Sequence, residues 1–273
     1  VDDGNFDGRG DFMINAAFVL VHGMGHQDPA WSDKMQKVLK SSIPDLNIKP
    51  VFYETLYSDL IEGKTFQAVF TKKNKDLTPA DINVMLNVSR MEAAIGLAIA
   101  RMAPSDVSRK GYMAEATDSF NNLIRYVAGY LFNARLKSQI DGRIRKALAD
   151  AAADVGNSGH VVMIGHSLGS VVSWSVATNK DYPLPGCFYK LVTLGSPLGF
   201  LQSIDIIQPQ KAPYYWVNVR APGDIVSAIG VDEPPFSSDK GLVAVRVRRV
   251  GSDQHGSLIN DPKVVTDWMP MVA

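Results

Sequence analysis

The chain has 273 residues, 46% hydrophobic and 21% charged, the balance of an ordinary globular protein with a sizeable core. Its 28 lysines and arginines match 28 aspartates and glutamates, so no bulk field draws it to nucleic acid or to an anionic membrane. One cysteine, Cys187, excludes an internal disulfide framework and a multi-cysteine metal site, and it fits a packed free thiol in a reducing, cytoplasmic setting.

Residues 1–13 are rich in Gly and Asp rather than basic and then apolar, so they do not read as a leader. Asp3-x-Asn5-x-Asp7-Gly8 has the spacing of the front half of a calcium loop. Ile14 stands where the closing acid belongs and no helix pattern precedes the run, so a solvated arm is the expectation. Ala16 to Val21 is fully apolar and ends in His22-Gly23-Met24-Gly25-His26, which reads as a buried parallel strand with a Gly-rich loop at its end. Helical spacing follows over Trp31 to Leu39, and Ile48 to Tyr53 reads as a second strand. Strand, helix and strand in succession favour an α/β fold.

Between Tyr57 and Asn133 this rhythm stops. Asp81 to Met102 and Glu115 to Leu131 carry wide apolar helical faces, and Arg90, Glu92 and Arg101 make the first a poor membrane span. The whole of 57–135 is therefore expected to be a helical insertion within a single domain over 1–273. It serves either as core cover or as a lid, and an exposed apolar face there would permit contact with a membrane surface. The α/β rhythm returns with a helix near Leu136 to Val155, a strand at Val161 and a helix from Leu168 to Thr178. Strands follow at Phe188 to Leu194, Tyr214 to Val219 and Leu242 to Val250, and a helix over Pro262 to Met269 closes the chain. The expected architecture is a mostly parallel sheet of about six strands flanked by helices.

Val161 to Ile164 runs into Gly165-His166-Ser167-Leu168-Gly169, the strand, tight turn and helix of a nucleophile elbow with Ser167 at its apex. Alone, Gly-x-Ser-x-Gly arises by chance in on the order of one chain in ten of this length, so context must carry the reading. A serine hydroxyl needs a base, and a carboxylate must hold that base's tautomer. Behind such an elbow the acid and then the histidine follow the serine in the chain. Of the five histidines, only His255 lies after the elbow. Among the intervening acids, Asp224 comes just past a clear strand, with Asp205 and Asp232 as reserves. Backbone N–H groups of Leu168 and of Met24, in the loop after the first strand, suit an oxyanion hole. His22, Gly23, His26 and Ser196 are candidates for the substrate site. His22 also reads as a loop anchor, and His166 as a packed ring.

On these motifs, together with Leu194-Gly195-Ser196-Pro197, the sequence resembles the α/β-hydrolase fold superfamily, and within it lipase- and esterase-like serine hydrolases. The resemblance implies an acyl-enzyme mechanism on Ser167, with His255 relaying the proton, Asp224 orienting it, and no metal or organic cofactor. The implied substrate is a small-molecule or lipid ester. A thioesterase, an amidase, or a non-catalytic ligand-binding relative would share the same outline. Two departures stand out. The part before the His-Gly loop is short, which implies a reduced sheet, and the large insertion lies upstream of the elbow, while 198–213, where many members carry a cap, is short.

Overall fold

In the computed structural model, residues 15–23, 30–61, 82, 85–93, 123–221, 224, 226–227, 236–247 and 255–272 are described. Strand β1 (Ala16–Val21) is buried at every position, because both faces of the sheet it joins are covered. Its side chains alternate between two cores. Ala17, Val19 and Val21 face one, and Ala16, Phe18 and Leu20 face the other. Helix α1 (Asp33–Ser42) buries Met35, Val38 and Leu39 in the second core. Strand β2 (Asn47–Val51) follows, and helix α2 (Glu54–Ile61) begins three residues later.

After the expected insertion, helix α3 (Ala134–Val155) starts at Asn133, whose side chain accepts from the Leu136 N–H at 3.0 Å, a side-chain N-cap. Strand β3 (His160–His166), helix α4 (Leu168–Thr178), strand β4 (Phe188–Leu194) and the short helix α5 (Leu198–Ser203) come next. The chain continues through β5 (Lys211–Ala212), β6 (Tyr215–Arg220), β7 (Ser237–Ser238) and β8 (Leu242–Arg246). It closes with α6 (Ser257–Asn260) and α7 (Pro262–Trp268).

Six strands form one sheet in the order β2-β1-β3-β4-β6-β8, every neighbouring pair parallel. Strands β5 and β7 pair separately. Helices α3 and α4 pack on one face, and α1, α6 and α7 on the other. The expected α/β architecture of about six strands flanked by helices is present. From β1 the chain steps outward to β2, then returns to the other side of β1 to lay down β3 and β4. The direction of winding therefore reverses between β1 and β3. In a parallel sheet that reversal opens a crevice beyond the carboxyl ends of the two strands, because their connections leave to opposite sides.

Several boundaries differ from the sequence reading. Strand β2 stops at Val51 rather than Tyr53, because the Tyr53 N–H donates to the His22 ring instead of to a neighbouring strand. The last strand is described only to Arg246, and 248–250 lie outside the described residues. The short α5, α6 and the β5–β7 pair were not anticipated, since two to six residues are too few to show a period. Most of 57–135 also lies outside the described residues. The parts that are described, 57–61, 82, 85–93 and 123–135, are helical apart from Asn133, and Val88, Met91, Leu123, Ile124 and Val127 join the core on the α3–α4 face. Among the described residues no helix is long and apolar enough to cross a membrane. The Asp/Asn-rich arm lies outside the described residues.

Candidate active site

The elbow forms at the crevice between β1 and β3. Ser167 sits between the end of β3 and the start of α4 at φ 55° and ψ −124°, a backbone region that costs a side-chain-bearing residue free energy. What holds it there is close packing without side chains. A Cβ on Gly165 would lie 2.5 Å from the Gly169 carbonyl oxygen, and one on Gly169 would collide with the carbonyls of Val21 and His22. The two glycines thus let α4 press against β1 and β3. The Ser167 N–H donates to the Leu194 carbonyl at 2.9 Å, and its own carbonyl accepts from the Ser170 hydroxyl at 2.5 Å. Ser196 Oγ lies 2.8 Å from that hydroxyl. Ser170 has one proton, which goes to the carbonyl, so Ser196 donates to Ser170 in turn. Ser196 also accepts from the Leu198 N–H at 3.3 Å. It is 2% exposed and braces the elbow.

The Leu168 N–H is the first of α4 and has no acceptor within the helix, so it is free to meet an anion at the positive end of the helix dipole. Gly23 closes the opposite side, since a Cβ there would stand 2.8 Å from Ser167 Cβ. Met24 and His26 lie outside the described residues.

His22 is buried and fully engaged. Its Nε2 accepts from the Tyr53 N–H at 3.1 Å, so Nδ1 carries the proton and donates to the Gly23 carbonyl at 2.5 Å. The Tyr53 hydroxyl donates to the His22 carbonyl at 2.5 Å, and the two rings stack at 3.9 Å. Burial, opposed by the Gly23 carbonyl, lowers the His22 pKa to about 4. The ring is a neutral strut that fixes the loop after β1, with neither nitrogen left to meet a substrate.

Across the crevice, His255 Nδ1 lies 3.0 Å from Asp224 Oδ2. Burial by itself would push the Asp224 carboxyl up. The hydrogen bond and charge of His255, with donors from the Ser227 hydroxyl at 2.5 Å and the Val226 N–H at 3.0 Å, outweigh it and hold the carboxyl below the usual carboxylate value. Gly195, at φ 57°, lies against this pair. A Cβ there would fall 2.8 Å from His255 Cε1 and 3.0 Å from Asp224 Oδ2. Nδ1 of His255 is occupied by Asp224, and among the described residues no hydrogen bond joins Nε2 to Ser167 Oγ. The structure brings Asp224, not the exposed Asp205, to His255. Asp232 lies outside the described residues.

His166, between Gly165 and Ser167, is buried, and its Nε2 lies 3.1 Å from the His255 carbonyl oxygen. No sequence signal pointed to this contact, which spans 89 residues.

No family model matches the chain, and no curated protein matches it. Among solved structures it is similar to a dienelactone hydrolase from Anabaena variabilis ATCC 29413 at 11% identity and a TM-score of 0.44, covering 94% of this chain and 87% of that one. It is also similar to an esterase, PE8, at 12% identity and a TM-score of 0.43, covering 95% of this chain and 93% of that one. Likenesses this distant do not bear on the chemistry of the site.

Proposed function

We propose that this chain is a serine hydrolase of the α/β-hydrolase fold that cleaves carboxylic esters through an acyl-enzyme on Ser167. The observation that carries the reading is the His255–Asp224 pair, 3.0 Å apart, at the same sheet end as a serine held at φ 55° on a helix N-terminus. In the proposed reaction His255 Nε2 takes the Ser167 proton as Oγ attacks the ester carbonyl. Asp224 keeps Nδ1 protonated and stabilises the imidazolium that forms. The N–H groups of Leu168 and Met24 receive the oxyanion. As the tetrahedral intermediate collapses, the C–O bond to the alcohol breaks and His255 returns its proton to the leaving oxygen. Water then attacks the acyl-enzyme by the same route in reverse, releasing the acid and free Ser167. The expected insertion at 57–135 acts as a lid or pocket wall in this reading.

A panel of p-nitrophenyl esters, offered to the wild type and to Ser167→Ala, tests it. The wild type hydrolyses at least one ester, and the variant falls to background. Equal rates, or no wild-type activity above buffer, would defeat the reading. The triad does not select its leaving group, so acyl-thioesters and anilides in the same panel define the substrate class.

A further inference from the structure

A general base is useful only if its ring returns to one place in every turnover. Asp224 fixes Nδ1 of His255, but a ring is also placed by the main chain that bears it. His255 begins the turn into α6 and is 26% exposed at its side chain. Its carbonyl accepts from the Leu258 N–H at a long 3.4 Å, and His166 Nε2 approaches the same oxygen at 3.1 Å. A carbonyl can only accept, so Nε2 of His166 carries the proton and donates. The two imidazoles lie 4.6 Å apart between centroids, their planes tilted by 39°.

His166 is well placed for such a task. It is the last residue of β3, a strand paired on both sides, and it precedes Ser167 directly. Its Nδ1 faces the main chain of Gly23, where a Cβ would stand 3.3 Å away. The ring therefore lies between the main chain of the base and the loop after β1, on the residue that directly precedes Ser167. Burial first, and then the neighbouring His255, lower its pKa to about 3, so it stays neutral and keeps its Nε2 proton through the neutral range.

Resting on the serine-hydrolase reading, we propose that His166 is a positioning residue that holds His255 in register with Ser167 by donating a hydrogen bond to its main-chain carbonyl. A ring that merely fills space would be replaceable by phenylalanine, whereas a donor would not.

The test uses an ester that the wild type hydrolyses, so failure of the functional reading shows in the wild type alone. In His166→Phe, kcat falls on the order of tenfold to a hundredfold, the scale of a misplacement of about 1 Å, while KM stays within about twofold. In His166→Gln, which keeps an amide donor of similar reach, most of the loss is recovered. A His166→Phe kcat within about twofold of the wild type, or a His166→Gln as impaired as His166→Phe, overturns the proposal. Should His166→Phe fail to fold, 1H–15N NMR of the wild-type imidazoles still decides. Nε2–H on a neutral His166 from about pH 5 to 8 is expected. An Nδ1–H tautomer or an imidazolium in that range overturns the proposal.

Discussion

Asp224 holds a carboxylate where burial alone would disfavour the charge, and three donors keep it ionised. Replacing it with asparagine removes the charge and presents an amide that can face Nδ1 with either end, so His255 loses its enforced tautomer. For Asp224→Asn, kcat is expected to drop on the order of a thousandfold to ten-thousandfold, with circular dichroism unchanged. A loss under about tenfold would show that another acid orients His255. The pairing of Asp224 with His255 could be anticipated from the sequence because Asp224 stands just beyond a mostly apolar strand, interrupted only by Asn218 before its end at Arg220. The Ser227 hydroxyl that donates to it could not, since a serine in a loop carries no positional signal. Nor could the engagement of His22 by Tyr53 or of His166 by His255, because both depend on how loops from distant parts of the chain meet. The sequence left His22 open between substrate and strut, and its two filled ring nitrogens favour the strut.

Two elements set where Ser167 and His255 stand, the elbow and the C-terminal helices. At the elbow, a methyl group on Gly165 would have to enter a space already filled by the Gly169 carbonyl oxygen at 2.5 Å and Ser173 Oγ at 2.7 Å. Gly165→Ala is therefore expected to destabilise by about 1–3 kcal/mol and to slow ester hydrolysis as α4 moves away from β3. Wild-type stability and rate in urea unfolding and turnover assays would contradict that packing. At the other element, the Trp268 indole N–H donates to the Leu258 carbonyl at 3.1 Å, tying α7 to the short α6 that follows His255. The Asp261 side chain caps α7 by accepting from the Lys263 N–H at 2.9 Å, with Pro262 in its first turn. Asp261→Ala should cost about 1 kcal/mol in urea unfolding, and no change would mean that the cap is idle. Strand β1 and the Val161–Ile164 stretch of β3 were legible because burial on all sides forces a continuous apolar run, and β4 and helix α4 because apolar residues dominate them. Helix α5 was not, because its six residues complete fewer than two turns.

At the scale of the whole molecule, the reversal of winding between β1 and β3 gathers the Gly23 loop, Ser167 and the His255–Asp224 pair at one end of the sheet. That site contains two histidines buried in the neutral form. The ordinary value of 6.5 is lowered to about 4 for His22 and to about 3 for His166. Between these values and 6.5 the unfolded chain binds protons that the folded chain refuses, so stability must rise with pH. The contribution is complete above 6.5 and is lost as pH falls toward 4 and then 3, at up to about 1.4 kcal/mol per pH unit for each ring. Asp224, held below its ordinary value, adds a loss of the same sign further into acid. Urea midpoints should therefore fall steadily below about pH 6.5, and a flat profile down to pH 4 would contradict the burial of these rings. The central claim, that Ser167 is a nucleophile activated by His255, is tested most directly by peptide mass spectrometry after treatment with a fluorophosphonate. An adduct on Ser167 is expected in the wild type, and little or none in His255→Ala at the same exposure. An unlabelled wild-type Ser167, or undiminished labelling in His255→Ala, would contradict it.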